Sequence, residues 1–174
     1  MTVPLSSFVQ PVHRHYFSGL PERCNYRNRH YSFPGIPEVM PLTRAFLNTC
    51  AADRSEDYRY LFTLLGSELA NNAIRHTLSG RPGGSYTLQV RRSRKGLHLT
   101  CRDQGSLNGQ DGHLSPNPSG LDLSAESGRG LAMVDAFATS WGDNGFAEYR
   151  SVWLYLAFNA EESRWWDDSA SVRS

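Results

Sequence analysis

The sequence predicts an α/β (α+β) fold: a two-layer sandwich in which a mixed, mostly antiparallel sheet carries helices on one face. Three observations predict it. Short runs with a two-residue apolar alternation occur at Tyr31–Phe33, Tyr86–Val90 and Leu97–Cys101. Two longer runs carry apolar residues at helical spacing, Val39–Leu47 and Leu61–Ile74. The last two strand-like runs are joined by Lys95-Gly96, which reads as a hairpin turn.

Each element follows from local chemistry. Tyr31-Ser-Phe33 runs into Pro34-Gly35, which ends a strand in a turn. Pro37 suits the first turn of a helix, where its missing N–H costs nothing. Val39, Leu42, Phe46 and Leu47 then place a helix up to about Cys50. Asp53-Arg-Ser-Glu56 is a polar break before a second helix. The buried stripe of that helix is Leu61, Leu64, Leu65, Leu69, Ala73 and Ile74, and Ser79-Gly-Arg-Pro-Gly-Gly84 stops it just beyond Thr77. After the hairpin, Asp103 opens a long stretch rich in Gly, Ser, Pro and Asn, with a lid expected over Ser106–Ser127. A helix is expected over Gly130–Phe137, then strands around Thr139–Trp141 and Val152–Phe158. The chain thus divides into residues 1–30, a flexible or partner-dependent arm; residues 31–160, the domain; and residues 161–174, a polar tail. The arm reads either as a disordered leader or as a docking segment.

Composition narrows the function classes. A net charge of +1 provides no field that would make nucleic acid the default partner. Three cysteines, Cys24, Cys50 and Cys101, lack CxxC spacing, which argues against a zinc site or a disulfide framework and for reduced thiols. No apolar run approaches the ~20 residues of a membrane span, and Met1–Gln10 has no targeting pattern, so a cytoplasmic location without membrane contact is expected.

Three segments carry chemistry. Glu68-Leu-Ala-Asn71-Asn72-Ala-Ile-Arg75-His76 puts Glu68 and Asn72 four residues apart, on one helical face. A carboxylate beside an amide oxygen is hard-ligand chemistry. Magnesium takes few protein ligands, and Glu68 is then free to act on a nucleophile. Cys101-Arg-Asp103-Gln-Gly105 ends a strand with an acceptor, and its glycine permits close backbone approach. Glu126-Ser-Gly128-Arg-Gly130-Leu131 puts glycines at the junction of loop and helix, where free N–H groups favour phosphate. Alone, each has an ordinary structural explanation: a solvated helix face, an Asp-x-Gly turn, a hinge. The last segment lacks the Gly-Lys-Ser/Thr of a Walker A loop and follows a lid rather than a strand.

In order and spacing, the three segments resemble the N, G1 and G2 boxes of the ATPase superfamily of DNA gyrase, histidine kinases and mismatch-repair ATPases. Within it, the chain resembles the stand-alone anti-sigma-factor serine kinases (RsbW type). The likeness spans about residues 31–158 and includes Phe33-Pro-Gly-Ile-Pro37, Glu68-Leu-x-x-Asn72-Ala-x-Arg-His-Thr77, Ser79–Gly84, Trp141-Gly142 and Ser151-Val-Trp153. It implies a Bergerat-type ATP-binding fold with ATP and Mg2+ as cofactors. It assigns Glu68 as general base and Asn72 as the magnesium ligand. Asp103 would read the adenine amino group, with Gly105 giving close backbone approach. Gly128 and Gly130 would cradle phosphates with Arg129 nearby, and the Ser151 hydroxyl would lie near adenine through water. His76 fits the pattern but reads as a capping or packing residue.

The implied activity is transfer of the γ-phosphate to a Ser or Thr of a STAS-domain anti-anti-sigma partner, with sequestration of a sigma factor and homodimerisation. Two features depart from the pattern: the arm before Tyr31, and a lid poor in cations apart from Arg129. An ATP-binding interaction module without significant kinase activity is the alternative; a base at Glu68 argues for catalysis. A histidine-kinase fragment is disfavoured, because no long helical hairpin bearing a phosphoacceptor His precedes the domain. The first helix and the arm are the expected docking surfaces.

Overall fold

The computed structural model describes residues 3–21, 25–116 and 129–159. Strict alternation builds the sheet. In β1 (Asn28–Pro34), β2 (Ser85–Arg92), β3 (Gly96–Arg102) and β5 (Ser151–Ala157), every second side chain is buried. The short β4 (Ser140–Asp143) lies at the edge. The strand order is β1-β2-β3-β5-β4, and every pairing is antiparallel. The inward residues Tyr31, Phe33, Tyr86, Leu88, Val90, Leu97, Leu99, Leu154 and Leu156 form the core wall.

Three helices cover that wall. α1 (Met40–Cys50) follows a 3-10 turn at Pro37–Val39, as the proline predicts. α2 (Glu56–His76) is capped by Ser55, whose side chain accepts the Tyr58 N–H at 3.3 Å. Glu56 and Asp57 in its first turn and Arg75 and His76 in its last complement the helix dipole. Its buried stripe is Phe62, Leu65, Gly66, Leu69, Ala70 and Ala73, so the helix lies across β2 and β3. α3 (Arg129–Phe137) packs beside α2. The two-layer sandwich expected from the sequence is the observed architecture.

The β2–β3 hairpin turns through Ser93-Arg94-Lys95, where Ser93 Oγ accepts the N–H groups of Lys95 and Gly96. β1 starts at Asn28, three residues before the alternation is readable in the sequence, because the first inward position is held by a buried arginine, Arg29, rather than an apolar residue. Cys50 and Cys101 are buried, and Cys24 lies outside the described residues.

Residues 3–21 lie against α1 and β1. The Tyr31 hydroxyl donates to Phe8 O at 2.6 Å and accepts the Gln10 N–H at 3.0 Å. Phe17 sets its ring against Tyr31, Phe33 and Phe46. The Gly19 N–H reaches Thr49 Oγ1 at 2.8 Å. These contacts come from isolated aromatic residues in two short 3-10 turns, Leu5–Phe8 and Pro11–Phe17, and such turns leave no helical or strand periodicity to read. Residues 161–174 lie outside the described residues.

Phe46 joins this segment to the domain. It is fully buried, with its ring near those of Tyr16, Phe17 and Phe33. Phe46→Ala is expected to cost about 3–5 kcal/mol by denaturant unfolding, as for other fully buried aromatics. A loss below about 1 kcal/mol would contradict the packing described.

Candidate functional site

The site lies where α2 crosses the end of β3. Cys101 and Asp103 are two apart, so both point to the helical side of the sheet. Beside them on β5 the same alternation directs Val152 inward, opposite Cys101. Across the gap, α2 presents Leu69, Asn72, Ala73 and His76. Together with Thr77, Ser106, Leu114, Leu131 and Arg150 they enclose a cavity of about 280 Å³. Its walls are mostly apolar, with a few convergent polar groups, the usual make-up of a small-molecule site.

Asp103 is the buried acceptor of this cavity, with 9% of its surface exposed. Its Oδ1 accepts the Gly105 N–H at 2.8 Å, and its own N–H donates to Arg150 O at 3.0 Å. Burial pushes its carboxyl above the usual carboxylate range; the Gly105 N–H and the nearby Arg150 charge pull the other way. Gly105 has φ +103°, and a Cβ there would sit 2.6 Å from the carbonyl oxygens of Ala147 and Glu148. Glycine is therefore required by the turn and by the neighbouring strand connection, independently of any bound ring. From this turn Leu78 N–H bonds to Gly105 O at 2.9 Å, and Gln104 N–H bonds to Ser79 Oγ at 2.9 Å. The end of α2, the Ser79 turn and the G1-like segment are thus one hydrogen-bonded unit.

Glu68 lies one turn before Asn72 on α2, and it does not line the cavity. Its carboxylate rests against Gly130 at the start of α3, where a Cβ would collide with it. Burial pushes its carboxyl above the usual carboxylate range, while Arg75 and Arg44 pull the other way. Arg129 is the first residue of α3. Gly128 lies outside the described residues, as do Glu126 and Ser127. Ser151 is paired with Arg102 on β5, out of phase with the inward Val152, and it does not line the cavity; Arg150 does. The structure therefore gathers Asn72 and Asp103 around one cavity and sets Glu68, Arg129 and Gly130 at its α3 side. His76, read from sequence as a capping residue, is also on the cavity wall.

Residues 117–127 of the expected lid lie outside the described residues; the segment that leads into them is pinned. Asp143 accepts the N–H groups of Leu114 at 2.8 Å and Gly145 at 2.6 Å, and it pairs with His113 at 3.1 Å. Asp111 Oδ1 accepts the Ala147 N–H at 2.7 Å. These bonds hold Leu114 over the cavity mouth. Neither aspartate was legible as a site residue, since Asp111 sits in a loop, Asp143 ends the short edge strand β4, and each acts across some 30 residues of chain.

A family model described as the histidine kinase-like ATPase domain matches residues 33–147, well over half of the chain. The chain belongs to that family. Comparison with the curated proteins gives no match. As a histidine kinase-like ATPase domain the protein is built to bind ATP, and the matched segment holds Glu68, Asn72, Asp103 and Gly105. Among the described residues no helix is long and apolar enough to cross a membrane.

The Glu68 environment has a thermodynamic consequence. A carboxyl whose folded pKa lies above its unfolded value favours folding while protonated. That advantage disappears as pH rises through the folded value. A neutral glutamine is free of this pH-dependent penalty. Glu68→Gln is therefore expected to gain melting temperature relative to the parent protein between about pH 4 and about pH 8. Melting curves across that range check it; a gap independent of pH would contradict the burial effect.

Proposed function

We propose that the protein is an ATP- and magnesium-binding regulatory serine/threonine kinase of the anti-sigma-factor type. It transfers the γ-phosphate of ATP to a Ser or Thr of a STAS-domain partner and sequesters a sigma factor. The single observation that carries the nucleotide reading is Asp103: a carboxylate buried in a mostly apolar cavity, with one acceptor edge fixed by Gly105 N–H. Such a group is costly unless a ligand donor meets it. An aromatic ring bearing an amino group suits both the walls and the acceptor.

The remaining residues fit a phosphate chain leaving the cavity along α2. Asn72 is on the wall, at the side where α2 continues to Glu68. Among the described residues no group of three or more His, Cys, Asp or Glu could hold a metal alone. A divalent ion at Asn72 would complete its shell with phosphate oxygens and water, the preference of magnesium. Bound there, it would neutralise phosphate charge. Gly130 and Arg129, at the start of α3, are placed to meet phosphate oxygens, with Gly128 preceding them in sequence.

Glu68 supplies the base. Its carboxyl is held above the ordinary range by burial, which moves it towards the pH at which a general base works best. It sits beside α3 rather than in the base cavity, the side on which a terminal phosphate would lie. A hydroxyl delivered there by a partner protein would lose its proton to Glu68 as it attacks. The STAS-domain and sigma-factor partners rest on the resemblance of the N, G1 and G2 boxes to those of anti-sigma-factor kinases.

Two substitutions test the assignment. Asp103→Ala is expected to weaken ATP binding about tenfold to 150-fold, the worth of one charge-assisted hydrogen bond of roughly 1.5–3 kcal/mol. Glu68→Ala should leave ATP affinity within about threefold and abolish phosphotransfer, as expected for a contact made in the transition state. Unchanged affinity in the Asp103 variant would remove the adenine assignment. Loss of binding and turnover together in the Glu68 variant would remove the base role.

A further inference from the structure

Of the buried side chains with a polar atom that finds no hydrogen-bond partner among the described residues, Arg150 is the one that lines the cavity. It immediately precedes β5 and lines the cavity, with 8% of its surface exposed. Its backbone carbonyl is used, accepting the Asp103 N–H at 3.0 Å. Its side chain is not: Nη1 is buried and has no hydrogen-bond partner among the described residues. The guanidinium lies near enough to Asp103 to favour its charged form, yet the two do not close into an ion pair. A guanidinium stays charged at every accessible pH and carries five N–H donors. A buried donor of that kind left unsatisfied destabilises the fold.

The wall therefore offers an acceptor and a donor side by side, fixed to adjacent strands by the Asp103–Arg150 backbone bond. Their complement is a flat ring edge that carries a donor next to an acceptor. Adenine has such an edge, its 6-amino group flanked by ring nitrogens. Held in the same orientation, guanine would set its 6-oxygen against the Asp103 carboxylate and its N1–H against the Arg150 donors.

We propose that Arg150 is a base-reading residue: its guanidinium donates to a ring nitrogen of adenine while Asp103 accepts from the adjacent amino group. The inference rests on the reading of this cavity as the nucleotide site. It assigns the β5 side of the wall to Arg150, where resemblance points to the Ser151 hydroxyl. Arg150 confers preference for adenine over guanine, and its cost in the empty protein is recovered when the base binds.

The experiment is calorimetric titration of the full chain and of Arg150→Met with ATP, ADP and GTP, with thermal melting of both proteins without nucleotide. Methionine keeps much of the volume and removes every donor. The variant is expected to bind ATP and ADP about tenfold or more weakly, by the same factor for both, because the contact is to the base. Its preference for ATP over GTP should shrink. Its melting temperature without nucleotide should match or exceed that of the parent, since a buried unsatisfied charge is gone. A purely structural arginine would instead lower the melting temperature.

If the parent protein binds ATP and Arg150→Met binds it equally well, the inference is wrong while the nucleotide reading stands. A loss confined to ATP, sparing ADP, would move Arg150 from the base to the terminal phosphate and also overturn it. If the parent binds no nucleotide, the underlying reading falls first. Should Arg150→Met fail to fold, Arg150→Gln serves in its place. It is expected to lose less ATP affinity than removal of every donor would cost, but still to bind more weakly than the parent, and affinity equal to the parent's would again overturn the proposal.

Discussion

The turn at Asp103–Gly105 is where the rest of the structure is joined. Asp103 Oδ1 closes it on the Gly105 N–H, and the positive φ of Gly105 reverses the chain. From it, backbone bonds run to Arg150 on the β5 side, to Leu78 after α2, and through Gln104 to Ser79. Ser106 continues the same line, donating its N–H to Ala147 O at 2.6 Å and bridging to Thr77. Three separate segments of chain, 77–79, 103–106 and 147–150, are thus held at one point beside the cavity. A side chain at Gly105 would break this junction twice, by its φ and by the carbonyls of Ala147 and Glu148. Packing of α2 on β2 and β3 fixes the opposite wall.

The charges set into this frame are expensive. Asp103, Arg150 and Glu68 are all wholly or partly buried, and burial raises the carboxyls of both acids. None of the three is consumed by an ion pair with another. A fold optimised only for stability would replace them with apolar residues of like size. On the proposed function, their burial is stability given up for recognition and chemistry. The Arg92–Asp53 pair near Tyr26 and Phe158 tethers β2 to the loop before α2, with Arg92 Nη1 without a hydrogen-bond partner among the described residues.

Much of this was legible in the sequence where periodicity carries the information. The β2–β3 hairpin and the Pro37 helix start follow from local rules, and so does the placement of Asn72 and Asp103 at helix and strand ends; of the α2 stripe, Leu65, Leu69 and Ala73 are buried as read, while Leu61, Leu64 and Ile74 are only half-buried and Phe62 takes the core place. The site residues that escaped reading act through register rather than pattern. Arg150 precedes a strand like any exposed arginine; only the pairing of Arg102 with Ser151 puts it beside Asp103. The same register turns Ser151 away from the cavity lining. Asp111 and Asp143 look like loop aspartates until the chain folds back and they pin the segment that leads into the expected lid. The segment before β1 was opaque for a related reason: Phe8, Phe17 and Tyr31 meet through single long-range contacts, which leave no period.

The measurement that bears most directly on the account is calorimetric titration of the unmodified protein with ATP, with and without magnesium. The account predicts saturable one-to-one binding that strengthens when magnesium is present, because on the proposed function Asn72 would hold the ion that neutralises phosphate charge. A folded sample that takes up no ATP under either condition would contradict it, and would leave the cavity beside Asp103 without the ligand its chemistry describes.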